Sequence, residues 1–483
     1  MSGSLALILA LGFIACAFAR DIKRRGEASP AVWIATLWLM RVGSRGLDEW
    51  RGAGISDDGG SGIDQLFIFV VAVLGFVVVG RRWSQVQMVL RRNVPVVVFF
   101  GYITLSVTWS QSPFDSIKQL FRAFGDLSMV LLIITERRPL EAMLTMFRRS
   151  LLLLIPLSVV FAKYYPELGR MREKNWEPDS WIGVSTHKNC LGQLCFLAAV
   201  VFVIEIVRAM RRRKFRVWQV PLEMPFETIY LAMSFYLLNG GGAQRSTTSI
   251  LCVVTAIGLF LLLEKLRSRP RVASKVLLGI ICGIALLNVT ADFFGGSLSA
   301  TVAESQGKDP TLTGRTELWA DITDVAKQRP ILGAGFMSFW TPAVKAYIKS
   351  IPRESWGPVH ADNGYVETYI QLGWAGILLL GLLIIHGYVR SNKTMAYDFD
   401  YGRFRLVLLV TALLQNLTES GFPRPTQIVM FTFLLVALDI RAPRAPRSAS
   451  TAGKQRGLSQ LGGASGHVTR ERLVTGSWPK QQL

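Results

Sequence analysis

The sequence is short of charge, of acidic residues in particular, and of cysteine. Only 18% of its 483 residues are charged, where a soluble domain averages about 25%, and 33 Asp and Glu stand against 54 Lys and Arg. The five cysteines lie in or beside apolar runs at no metal-ligand spacing. These features exclude a disulfide-stabilised scaffold, and they favour buried, unpaired thiols.

What the sequence has instead is long apolar runs, such as residues 67–80, 251–263 and 276–287. With mildly polar flanks they reach about 17–20 residues, the length that crosses a bilayer as a helix. The runs exclude a soluble nucleic-acid-binding protein, despite the net charge of +21, and a collagen-like fibre. They predict an all-α polytopic integral membrane protein with about 12–13 transmembrane helices. The candidate spans centre on residues 5–19, 30–40, 64–80, 94–109, 117–135, 150–164, 189–207, 227–239, 249–263, 276–291, 366–389, 406–416 and 426–440.

The positive charge predicts how the chain crosses the membrane. Most Lys and Arg lie in alternate loops and in the tail, which places those segments in the cytoplasm and the N-terminus outside. We expect N-terminal transmembrane helices over residues 1–180 and a membrane core over residues 181–440. Residues 441–483 are predicted to be a disordered basic cytoplasmic tail beside anionic lipid.

Function is expected on the outward side, where the periplasmic loop over residues 292–368 is far longer than a connector. This loop contains two motifs, residues 311–336 and residues 360–376. Two shorter outward elements are also polar, GVSTHKNCLG at residues 183–192 and NGGGAQRSTTS at residues 239–249.

The first motif predicts an amphipathic helix over residues 314–327, lying outside the membrane with its apolar side against the spans. Gly314 can cap it, with Glu317 at the third helical position. Arg315 falls in the first turn, where the helix dipole disfavours a cation unless an anion is bound there as well. A solvated arginine is the alternative. The apolar stripe is Leu318, Ile322 and Val325, and a tight turn follows at Gly333 and Gly335.

Two further arginines are candidates for binding anions. Arg245 follows a run of glycines and precedes hydroxyl residues, a combination that suits phosphate or sugar oxygens, although an arginine reaching to lipid headgroups is the alternative. Within residues 117–135, Lys118, Arg122 and Asp126 share one helical face. Charges at membrane depth usually line a polar cavity, whereas Lys118 can also be interfacial.

Two of the four histidines lie in outward motifs. His360 precedes Asp362 and Asn363, and His187 precedes Lys188. A histidine in either place can titrate near neutral pH and serve as a general base. A structural histidine is the alternative for each.

The motifs together resemble a known family. GRTELW followed by RPILGAGFMSFW and then HADNGYVETYIQLGWAG is similar to the conserved block of the O-antigen ligase and polymerase superfamily. HKNCLG and the segment around Arg245 match further pieces, and the ExoQ-like exopolysaccharide polymerases combine these elements in the same way. The resemblance covers about residues 180–440. It implies a GT-C-like glycosyltransferase of the bacterial inner membrane, multi-pass, with a periplasmic active site.

The resemblance also implies a reaction and its residues. Such enzymes move a glycan from undecaprenyl diphosphate to an acceptor hydroxyl, with no metal or other cofactor. By motif position Arg245, Arg315 and a histidine are catalytic. This chain has Asp362 directly before Asn363 and His360 two residues earlier, so His360 or Asp362 is the base. The candidate substrate-binding residues are Asn363, Lys188, Asn189, His187 and Arg122.

The expected function is therefore the polymerisation of undecaprenyl-diphosphate-linked repeat units into an exopolysaccharide or O-polysaccharide. The alternatives are an O-antigen ligase that transfers the glycan to the lipid A core and, less favoured, a polysaccharide transporter. The expected partners are the lipid-linked glycan, an acceptor glycan and membrane lipids, with other polysaccharide assembly proteins as further candidates. Nucleic acid is not expected to bind.

Overall fold

The computed structural model describes residues 2–23, 28–51, 62–171, 179–240, 246–269, 272–273, 275–279, 315–351 and 357–438, without the side chains of Arg51, Arg315 and Thr316. These residues are almost entirely helical. The helices are α1 (Gly3–Lys23), α2 (Val32–Val42), α3 (Gly62–Arg81), α4 (Trp83–Arg92), α5 (Val94–Leu105), α6 (Pro113–Ile134), α7 (Pro139–Tyr164), α8 (Pro166–Gly169), α9 (Lys188–Arg213), α10 (Val220–Glu223), α11 (Pro225–Asn239), α12 (Thr247–Lys265), α13 (Arg315–Ala326), α14 (Pro342–Ser350), α15 (Gly364–Tyr397), α16 (Phe399–Gln415) and α17 (Ile428–Ala437). A short antiparallel ribbon pairs β1 (Arg170–Met171) with β2 (Ser180–Trp181).

The predicted polytopic all-α fold is confirmed. Within the described residues, six helices are long and apolar enough to cross a membrane. They are α1, α3, α7, α9, α12 and α15. Helices α4 and α5 meet at a bend of 95°, and α2 and α17 are shorter apolar helices. Every predicted span coincides with a described helix except the one centred on residues 276–291, most of which lies outside the described residues.

The two ends of the helix bundle differ in composition. At one end, here called the basic end, arginines pair with carboxylates from neighbouring helices. These pairs include Arg148–Asp21 at 2.5 Å, Arg208–Glu141 at 2.5 Å and Arg211–Asp400 at 3.2 Å. The opposite end, here called the motif end, carries the starts of α9, α12, α13 and α15 and the loop of residues 416–427. The outward motifs therefore share one end of the fold.

The predicted amphipathic helix is present as α13. Leu318 and Ile322 on its apolar stripe are fully buried against Ile370 of α15 and the segment after α13, and Val325 packs against the same cluster. Burying one such side chain stabilises the arrangement by about 1.5–3 kcal/mol. The apolar stripe thus fixes α13 against the motif end, while Gly314 lies outside the described residues.

The chain after α13 inserts into a break in α15. Gly373 has φ +64° inside that helix, in the left-handed region that glycine adopts without steric cost. The amides of Trp374 and Ala375 donate instead to the carbonyls of Pro330 and Ile331, at 2.9 and 3.1 Å. The predicted tight turn, with φ +69° at Gly333 and +101° at Gly335, lies in this same inserted segment. The break therefore joins the outward segment to a membrane-spanning helix.

Candidate functional site

Three helix starts converge on the loop of residues 416–427. At the start of α9, Asn189 Nδ2 donates to Glu419 Oε1. Near the start of α12, the hydroxyls of Thr248 and Thr418 lie 2.7 Å apart. Directly before α15, Asn363 Nδ2 donates to the Leu417 carbonyl at 3.3 Å. One loop thereby holds together the HKN element, the segment after Arg245 and the NGY element, which are far apart in the sequence.

Each of these helices is capped at its start by a side chain. The His187 Nδ1 atom accepts from the Asn189 amide at 3.3 Å, and the Ser246 Oγ atom accepts from the Ser249 amide. The Asn363 Oδ1 atom accepts from the amides of Tyr365 and Val366. Neither α9 nor α12 has an acidic residue in its first turn. Because a helix start carries partial positive charge, their convergence favours an anion at this end.

Close packing between α9 and α12 depends on Gly192 of the HKNCLG element. A Cβ atom at this position would collide with the Ser249 hydroxyl. The glycine therefore lets the two helix starts approach each other. This explains its place in the element on physical grounds.

His360 and Asp362 lie together before α15. The His360 Nδ1 atom is 2.7 Å from the Asp362 Oδ1 atom, although the ring N–H does not point at that oxygen with regular hydrogen-bond geometry. Asp362 has φ +50°, which an aspartate tolerates better than most residues and which turns its carboxylate back toward the imidazole. The two side chains are therefore in direct contact at the start of α15. The two candidates for the base are thus neighbours rather than alternatives in separate places.

Helix α13 is attached to this same segment. The Trp319 Nε1 atom donates to the carbonyl of Ala361, between His360 and Asp362, at 2.6 Å. Arg315 lies one helical turn before Trp319, about 6 Å along the helix. The backbone of Arg315 is thus one helical turn from a residue that is bonded to the segment of the histidine and aspartate, while its side chain is outside the described atoms.

Arg245 lies outside the described residues, but the two residues that bound its segment are placed. Gly240 and Ser246 line one solvent-open cleft, and Lys188 lines it as well. Arg245 directly precedes Ser246, which caps α12.

Two charged residues on one face of α6 have different surroundings. Lys118 is exposed and pairs with Asp115 at 3.5 Å. Asp126 is buried, and it accepts from the Trp38 indole at 2.7 Å and from the Thr426 amide at 2.8 Å. Asp126 therefore fixes the end of the 416–427 loop, and substrate binding by Arg122 remains a prediction.

No group of three or more His, Cys, Asp or Glu side chains in the described ranges is arranged to hold a metal ion. The groups that the motif end does present are amide hydrogens, hydroxyls, one imidazole–carboxylate pair and basic side chains. Such groups suit phosphate and sugar oxygens.

The comparisons with known proteins agree with this arrangement. Residues 232–381 match the O-antigen ligase family. This match covers less than a third of the chain. The chain is also similar to the exopolysaccharide production protein ExoQ of Rhizobium meliloti (strain 1021), with 26% identity over 214 residues. That stretch covers 43% of this chain and 48% of the relative, so the match spans about half the length of the relative.

The O-antigen ligase segment contains Arg245, Arg315, His360 and Asp362. It does not contain α9 or the 416–427 loop, which complete the motif end. The suspected resemblance to the O-antigen ligase and polymerase superfamily is therefore confirmed. The roles of the individual site residues remain predictions.

Some residues that build the motif end were not singled out from the sequence. Glu419 holds Asn189, and Arg424 lies in the same loop. Glu367 is buried in the first turn of α15 and holds the segment of His360. A signal did exist for the first two, because TESGFPRP places two charges in a short outward loop between apolar spans.

Glu367 is expected to position the segment of His360. Its carboxylate accepts from the amide of Ala361 at 2.8 Å, the indole of Trp340 at 3.0 Å and the amide group of Gln371 at 2.9 Å. Glu367→Leu would leave these donors unpaired. Each buried unpaired donor lowers the free energy of unfolding by about 1–3 kcal/mol. We expect a lower melting temperature and faster hydrogen exchange over residues 357–364.

A matched control is Asp324→Ala on the exposed face of α13, where Asp324 pairs only with Lys327 in solvent. An exposed pair of this kind contributes about 0–1 kcal/mol. If Glu367→Leu had the same melting temperature and the same hydrogen exchange over residues 357–364 as this control, Glu367 would have no positioning role.

Proposed function

We propose that this protein polymerises lipid-diphosphate-linked oligosaccharide repeat units, as an inverting membrane glycosyltransferase of exopolysaccharide or O-polysaccharide synthesis. The family match and the similarity to ExoQ support the coarser statement, an O-antigen ligase or polymerase type of function in polysaccharide assembly. The observation that carries the finer proposal is the convergence of α9, α12 and α15 on one loop beside His360 and Asp362.

The donor would bind with its diphosphate at the motif end. Amides at helix starts donate to phosphate oxygens, and guanidinium groups form paired hydrogen bonds with them. Arg245 and Arg315 are the guanidinium groups that we assign to this role. Asn189 and Asn363 would stay engaged with the 416–427 loop, so that the binding surface keeps its shape.

The acceptor sugar would contribute a hydroxyl, and His360 would take its proton as the hydroxyl oxygen attacks the anomeric carbon of the donor. As the new C–O bond forms, the bond from that carbon to the phosphate oxygen breaks and its electron pair leaves with the diphosphate. Arg245 and Arg315 would stabilise the charge that develops there. Asp362 would stabilise the imidazolium of His360. One displacement of this kind inverts the anomeric centre.

Carrier-linked glycans in cells separate this function from its alternatives. Deleting the gene should leave single repeat units on the lipid carrier, since nothing joins them, and the intact gene should restore long chains. If the protein were a ligase, deleting its gene would leave long chains on the carrier that never reach the lipid A core. A gel that showed neither pattern would contradict both enzymatic functions.

A further inference from the structure

Arg424 lies in the loop of residues 416–427. Its side chain is half-buried, and no hydrogen bond or ion pair connects its guanidinium with another residue in the ranges that the structure describes. Taking a guanidinium partly out of water without a compensating anion is unfavourable. Its position therefore calls for an explanation.

Three arginines of comparable or deeper burial form hydrogen bonds with the protein. Arg41 forms two hydrogen bonds of 2.6 Å with the carboxylate of Asp64. Arg45 donates to the Leu168, Gly183 and Ser185 carbonyls, and Arg405 donates to carbonyls at the end of α17. Arg424 differs from these because its charge is left available at the motif end.

The loop holds Arg424 in place from both sides. Two residues before it, the Phe422 amide donates to Asn416 Oδ1 at 2.7 Å, and Phe422 is fully buried. Two residues after it, the Thr426 amide donates to Asp126 at 2.8 Å. A cation fixed in this way loses little conformational freedom when it binds a ligand.

The surroundings of Arg424 favour an anion. Its loop is joined to the start of α9 by the hydrogen bond from Asn189 to Glu419. A cation near a helix start is unfavourable unless negative charge is also present. Glu419 supplies one such charge, but one of its oxygens is engaged by Asn189.

We infer that Arg424 is a further diphosphate-binding residue of the proposed site, acting on the phosphates of the lipid-linked glycan. The inference rests on the proposed function, because the diphosphate is that of the proposed donor. It assigns the 416–427 loop a direct role in binding in addition to its structural one.

Binding of undecaprenyl diphosphate to the purified full chain in detergent tests this assignment. Arg424→Gln should raise the dissociation constant about 10- to 100-fold, which is what losing one charged hydrogen bond costs. Arg424→Lys should fall between this variant and the wild type, because it keeps the charge and loses the paired geometry. The control is Arg329→Gln, an exposed outward arginine that donates only to the Trp109 carbonyl and should bind like the wild type.

A second probe, undecaprenyl monophosphate, separates binding from folding. Arg424→Gln should lose affinity for the diphosphate more than for the monophosphate, with an unchanged melting temperature. Equal affinity to the wild type, or an equal loss for both lipids with a lower melting temperature, would overturn the role of Arg424 and leave the proposed function standing. If the wild type bound no lipid diphosphate, the proposed function would fail together with this inference.

Discussion

Arg315→Ala should lower the rate of glycan transfer about 100- to 1,000-fold, the usual cost of removing one fixed donor from a developing negative charge. The backbone of Arg315 lies one turn before Trp319, which is bonded to the segment between His360 and Asp362. Arg315→Lys should recover only part of the rate, because lysine keeps the charge but not the planar pair of donors. The measurement is single-turnover transfer from a lipid-diphosphate glycan in detergent.

Lys327→Ala supplies the matched control for Arg315, because Lys327 follows α13 directly and its ammonium group is exposed and paired with Asp324. This variant should transfer at the wild-type rate. Arg245→Ala should behave like Arg315→Ala. Activity close to the wild type in both arginine variants would refute the proposed site, provided that their melting temperatures are unchanged.

His360→Gln should reduce the rate about 100- to 10,000-fold, the range for losing a positioned general base. Asp362→Asn should have a smaller effect, because it removes the carboxylate 2.7 Å from the ring while leaving the imidazole itself. Asparagine adopts the left-handed backbone at this position as readily as aspartate, so the variant changes charge without adding backbone strain. Rates at saturating donor and acceptor give the comparison.

The relative size of these two effects decides which residue is the base. If Asp362 itself took the proton, Asp362→Asn would be at least as damaging as His360→Gln. His187→Gln serves as a control for the other outward histidine, whose Nδ1 atom caps α9. Gln can still accept a hydrogen bond, so this variant should keep most of the rate.

The sequence predicts the helices well because their causes are local. Apolar runs of bilayer length predict the crossing helices, and the 3.6-residue periodicity of Leu318 and Ile322 predicts α13, with both side chains buried as expected. The outward motifs are also identifiable, because charges and glycines stand out between apolar spans. These features require no knowledge of the rest of the fold.

The sequence predicts the assembly of the site less well, because its causes are tertiary. Gly373 looks like any glycine in an apolar run, and only the insertion of residues 330–335 shows why it breaks α15. The sequence does not show that His360 and Asp362 lie 2.7 Å apart, and the choice between them as the base stays a prediction. The role of the 416–427 loop becomes visible only in its contacts with three helix starts.

The most direct test of the proposed polymerase is elongation by the purified full chain. The protein would be incubated in detergent with a single synthetic repeat unit on undecaprenyl diphosphate, and the products separated by size. We expect a ladder of whole repeat units on the carrier, absent with Arg315→Ala at an unchanged melting temperature. A folded wild-type protein that left the single repeat unit unextended, although it bound the lipid, would contradict the proposal.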